Sequence, residues 1–211
     1  MYIDTSGPTR EKHFSLTLGG VPMDSLWKTA LWQQFGATID MLENALLACP
    51  APLWKERLWR DHADHPLPLG FPPEFAEFWY IAYHTLFWLD LYLSGSQEEE
   101  FAPPAPFTRA ELDPAGVPPE RPYTKEELRA YLVQLRQKCQ ATITGLSDER
   151  ARQTCEYPWA DGKAVSFLEL QLYNMRHVQE HAAQLSLFLG QHGIPDEALD
   201  WVPWAKDEPD S

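Results

Sequence analysis

The sequence predicts an all-α fold, a four-helix bundle with a long crossover connection between its second and third helices. Three observations carry that expectation. Four long segments repeat apolar residues at the helical period, strand-like alternation is absent, and seven prolines crowd the stretch between the second and third segments. With 211 residues, 44% hydrophobic and 13% aromatic, the chain has the size of one domain with a substantial core. Residues 1–211 are therefore read as a single unit.

The first helix is expected over about 24–49, with Asp24 or Ser25 as N-cap. Its broad face carries Trp27, Leu31, Gln34, Phe35, Thr38, Met41, Leu42 and Ala45, and it stops before Pro50 and Pro52. The second opens on Pro72, Pro73 and Glu74, because a first turn tolerates proline and favours an acid, and it runs to Gly95. Its seam is Glu77, Tyr80, His84, Phe87 or Trp88, and Leu91. Capping boxes at Thr124 to Glu127 and Ser166 to Glu169 start the third and fourth helices. The third carries Leu128, Tyr131, Leu132, Leu135, Cys139, Thr142 and Ile143 until Gly145, and the fourth runs to Leu189, with Gly190 or Gly193 to end it. Short helical turns are expected near 51–60 and 147–153. The connection, about 96–123, is expected to lie extended across the bundle, which lets the second and third helices run parallel.

The chain carries 17 Lys and Arg against 31 Asp and Glu, a net charge of −14 that repels phosphate backbones and argues against a nucleic-acid partner. Ten of those excess charges lie in residues 97–120 and 196–211, so the acidity is assigned to a solvated loop and a solvated tail. No stretch is long and apolar enough to span a membrane, and the first residues show no apolar signal region, so the expected setting is soluble and cytoplasmic. Cys49, Cys139 and Cys155 show no CxxC spacing and are read as buried, reduced thiols. Trp201 and Trp204, in the acidic tail of about 195–211, are costly to leave in water, which predicts docking of the tail on the bundle or on a second copy in a homodimer.

The residues with chemical potential are histidines. His177 and His181 stand one helical turn apart on one face, a spacing that lets both imidazoles reach one divalent cation at about 2.0–2.1 Å. His84 occupies the interior seam of the second helix and is the candidate third ligand. A single histidine on an apolar face is more often a hydrogen-bonded core residue. Three inward imidazoles from two helices meet the cost of burial together by binding a cation.

A histidine midway along the second helix, a long connection, a third helix, then His-x-x-x-His-x-x-Gln on the fourth resembles the DinB-like superfamily of metal-binding four-helix bundles. The matching residues are His84, His177, His181 and Gln184. The resemblance implies one divalent metal, zinc, nickel or iron, at an open site facing a small-molecule substrate. It further implies a metal-dependent enzyme, either a thiol S-transferase using a low-molecular-weight thiol or a hydrolase. Some such relatives are glutathione- or mycothiol-dependent isomerases. The alternative is a non-catalytic bundle, metal-stabilised or apo, that acts in association. Ala183 stands where the family often has glycine, and the proline-rich and acidic segments are longer than a minimal bundle needs, which points to a subfamily-specific lid or interface.

His177 to His181 also fits H-x-x-E-H, with Glu180 as the general base of an inverted zinc peptidase. That scaffold is a large α/β fold with a distant carboxylate ligand, and no strands are apparent here. Gln184 is placed to orient a ligand or a bound water, the supporting role that a ligating imidazole requires. Gln34 points either at the metal or at the bundle rim, and Tyr80 is either a hydroxyl donor to an anionic substrate group or core. Asp61, His62, Asp64 and His65 are read as a solvated loop in preference to a second metal site.

Overall fold

The computed structural model describes residues 17–18, 21–59, 72–195, 199 and 201–206. The order is β1 (Thr17–Leu18), β2 (Val21–Pro22), α1 (Met23–Ala48), α2 (Phe78–Ser94), α3 (Lys125–Thr144), α4 (Asp148–Arg152), β3 (Thr154–Cys155), β4 (Val165–Ser166) and α5 (Phe167–Gln191). The fold is predominantly helical. The four long helices are α1, α2, α3 and α5, and both α1 and α2 pack against α3 and α5.

Of the two expected capping boxes, that at Thr124 forms in full and that at Ser166 only by its N-cap bond. The Thr124 hydroxyl accepts from the Glu127 N–H while the Glu127 carboxylate takes the Thr124 N–H, and the Ser166 hydroxyl accepts from the Glu169 N–H. Gly95 ends α2 at φ 65°, a left-handed position that suits glycine. Turns occur near both expected places, as a 3-10 turn at Ala51–Leu53 and as α4.

Three expectations are corrected. The second helix does not begin at Pro72. A 3-10 turn over Pro73–Ala76 comes first, Glu77 is extended, and α2 starts at Phe78. The segment before it takes up the backbone groups that a continuous helix needs, since the Phe78 N–H donates to Glu56 and the Leu58 N–H donates to Ala76. Short strands also exist, with β1 pairing β2 and β3 pairing β4, each antiparallel. Two residues per strand are too few to show an alternation.

The third correction concerns the connection, which is not simply solvated. Phe101 and Phe107 are buried, Phe107 stacks on Tyr131 at 4.4 Å, and Tyr83 donates its hydroxyl to the Thr108 carbonyl. This cover is why α2 is buried on nearly all sides rather than along one seam. The tail docks differently from its expected anchors. Trp201 and Trp204 are 67% and 65% exposed, while Ala205 is buried against Gly36 and its N–H donates to Gln33. Arg136, buried on α3, joins Asp40 of α1 at 2.7 Å and also donates to the Lys206 carbonyl.

Candidate metal centre

α5 is pinned to α2 by two buried amides that precede the histidines. Gln171 donates to the Tyr92 carbonyl at 2.8 Å, and Asn174 donates to the Leu89 carbonyl at 3.3 Å. This register brings His177 and His181 opposite His84. The Nε2 of His177 lies 3.2 Å from the Nε2 of His84 and 3.0 Å from that of His181. One nitrogen from each ring falls within 4.8 Å of the other two.

The hydrogen bonds behind the rings decide what those nitrogens present. His84 Nδ1 is 2.6 Å from a Glu111 oxygen, and a carboxylate accepts, so the His84 proton sits on Nδ1. His181 Nδ1 is 2.8 Å from the Gln184 amide oxygen, so it too carries its proton there. Both Nε2 atoms then face His177 as lone pairs. His177 Nδ1 is buried with no partner. With its proton on Nε2, His177 satisfies one neighbour and leaves the other unmet; with its proton on Nδ1, that N–H is orphaned and three lone pairs converge. Either arrangement costs free energy. A divalent cation is the species that accepts all three lone pairs at once, so the donor set fits a metal.

Burial first, and then the charges of His84 and His181, push His177 down to about 2. Burial and His84 push His181 down to about 4, against a raising contribution from Gln184. Both rings are neutral near pH 7, the state a metal requires. Burial pushes Glu111 up, but the pull of His84 and hydrogen bonds from His84, Tyr80 and Trp88 bring it below its ordinary value. Its side chain is 5% exposed, and Trp88 donates to it at 2.9 Å.

Two cavities reach the triad. One, of about 540 Å³, runs between α1 and α5 and includes His177, Gln34, Arg176, Glu180 and Trp201 in its lining. The other, of about 460 Å³, is lined by His84 and His181 with Tyr80 and Glu111. Gln34 is exposed and donates to the Pro203 carbonyl at the rim of the first. Tyr80 is buried beside Glu111 in the second, and burial, then Glu111, raises its hydroxyl pKa. Glu180 lies outside the cluster. Asp61, His62, Asp64 and His65 fall outside the described residues.

The family model described as DinB superfamily matches residues 30–185. The chain belongs to the DinB superfamily. The match runs from α1 into α5 and takes in all three histidines and Gln184, but not the docked tail. Comparison with curated proteins and with solved structures gives no match.

Glu111, Gln171 and Asn174 are the residues of this DinB-superfamily site that sequence reasoning missed. The available signal for Glu111 was Phe101, Phe107 and Leu112, apolar residues that a solvated acidic loop has no reason to carry. Gln171 and Asn174 precede His177 at helical spacing, but a polar residue on a helix reads as rim until its neighbour is known.

Proposed function

We propose that this DinB-superfamily protein holds one divalent metal, zinc, nickel or iron, on the Nε2 atoms of His84, His177 and His181, and uses it in an enzymatic reaction on a small molecule. The observation that carries this reading is the hydrogen-bond conflict among the three imidazoles, which a cation resolves. Glu111 and Gln184 fix the tautomers of His84 and His181 from behind. Among the described residues no fourth His, Cys, Asp or Glu joins the cluster, which supports an open site over a closed structural one. When bound, such a metal polarises a carbonyl, acidifies water or holds a thiol as thiolate.

Thiol S-transfer is the favoured reaction and hydrolysis the other. The protein's own cysteines are poor sources of thiolate, since burial pushes Cys49 up to about 12 and raises Cys139 and Cys155 as well. A transferred thiol would therefore be a separate low-molecular-weight one. Three free, buried cysteines suit a cytoplasmic setting, and no described helix is long and apolar enough to cross a membrane.

The fold reading goes with this function. We take residues 1–211 as one domain, a four-helix bundle of α1, α2, α3 and α5 with residues 96–123 as its crossover. Tyr83 meets Tyr123 at the head of α3, while Asp90 meets Tyr131 and Lys138 further on, a pairing that supports parallel α2 and α3. Exposure of Trp201 and Trp204 supports a homodimer, and a sedimentation run that gives a monomer at micromolar concentration would remove it.

The test is elemental analysis of protein purified without a His-tag, beside the His177→Ala, His181→Ala double variant. About one equivalent of metal in the parent and none in the variant is expected. Absence of metal in both, after reconstitution, would return the histidines to ordinary core residues of an apo bundle.

A further inference from the structure

The cavity on the His84 and His181 side has a marked chemical bias. Its described lining includes Trp59, Phe75 and Tyr80 together with the carboxylates of Glu111 and Asp113, and it contains no Lys or Arg. Phe75 stacks on Tyr80 at 4.3 Å with the planes 17° apart, which makes a firm aromatic wall. Trp59 is 39% exposed. Asp113 accepts the Ala115 N–H on one oxygen and makes no ion pair among the described residues.

We propose that this cavity binds an organic ammonium ion, a protonated amine, held by the ring faces of Phe75 and Trp59 and the carboxylate of Asp113. The proposal builds on the metal reading, since His84 and His181 line the same cavity and the amine belongs to the small molecule presented there. Aromatic faces carry negative potential and attract an ammonium, more strongly where water is excluded. A carboxylate that makes no ion pair does the same. With no metal bound, an anionic ligand would meet two carboxylates and no Lys or Arg among the described lining residues, and the net charge of −14 favours cations at long range. Glu111 is committed to His84 and Trp88 through one oxygen and offsets part of the charge of a cation at the triad, so selection of the ammonium falls first to Asp113 and the rings. The cavity on the His177 side differs in this respect, because Arg176 is part of its lining.

The test uses three probes of similar shape on the full chain, both metal-loaded and after chelator treatment: phenethylamine, neutral 2-phenylethanol and anionic phenylacetate, titrated at pH 7. Phenethylamine is expected to bind about tenfold more tightly than the alcohol in both states, with phenylacetate weakest in the chelator-treated protein, where no metal takes its carboxylate. Asp113→Asn keeps an oxygen for the Ala115 N–H and is expected to remove most of that preference without loss of metal. Phe75→Leu is expected to weaken the amine by about fivefold. Equal or tighter binding of the alcohol, equal or tighter binding of phenylacetate to the chelator-treated protein, no binding of the amine at millimolar concentration, or an amine preference that survives Asp113→Asn would overturn the proposal. The metal reading fails separately, by a parent that takes up no metal whatever its amine preference.

Discussion

The connection before α3 and the tail after α5 look alike in the sequence, both acidic, proline-bearing and dotted with aromatic residues, yet they do different work. The connection sends Glu111 to the back of His84 and covers α2 with Phe101 and Phe107. The tail lays backbone and Ala205 along α1, closed by Arg136 and Asp40, and leaves its tryptophans outside. Net charge says little about whether a segment docks. What decides is whether one acid finds a buried partner and whether its apolar neighbours find a groove.

If the tail serves stability and the connection serves the site, substitutions in the two should separate. The largest expected effect is that of Arg136→Met, which leaves Asp40 buried without its cation and should cost about 3–5 kcal/mol in denaturant unfolding. Metal stoichiometry of the protein that remains folded should not change, and its loss would break the separation. Gly36→Ala acts on the same contact, because a Cβ there would stand 2.5 Å from the Cβ of Ala205 and 3.0 Å from the Trp32 ring. A loss of about 1–3 kcal/mol is expected, again without effect on metal content.

Glu111→Gln should do the reverse. Loss of the carboxylate behind His84 is expected to weaken metal binding by about 10–100-fold in a competitive chelator titration, with little change in the unfolding midpoint of metal-free protein. Equal losses in both measurements would make Glu111 structural and erase the difference between connection and tail.

Smallest near neutrality, and growing only as pH falls, is the effect of pH on metal-free protein. His177 and His181 are depressed to about 2 and about 4 in the fold against an ordinary 6.5, so the unfolded chain takes up protons that the folded chain refuses. Stability is intact above about pH 6.5 and falls as pH drops toward 4, by at most about 1.4 kcal/mol per pH unit for each histidine. The His177→Ala, His181→Ala variant should show a flatter profile over this window in urea unfolding.

Much of this was legible in the sequence. The helical periods, the capping box at Thr124, the N-cap at Ser166 and the His-x-x-x-His spacing are local, and local rules read them. The contact of Gln184 with His181 is one turn of helix and equally readable. Glu111 was not legible, because its role depends on a residue 27 positions after His84 folding back onto α2. The same holds for Arg136, which lies in the apolar phase of α3 and looks misplaced until Asp40 and the tail carbonyl are seen across from it. The start of α2 was misjudged for a related reason, since Glu56 and Ala76 settle it through bonds to another segment.

The central claim is that three imidazoles from α2 and α5 share one cation, and X-ray absorption on the metal-loaded protein tests it most directly. Three imidazole nitrogens at about 2.0–2.2 Å are expected, with exchangeable oxygen ligands in the remaining positions, and two imidazoles in His84→Ala. Sulfur in the first coordination shell of a sample free of added thiol, or a spectrum unchanged by His84→Ala, would contradict it.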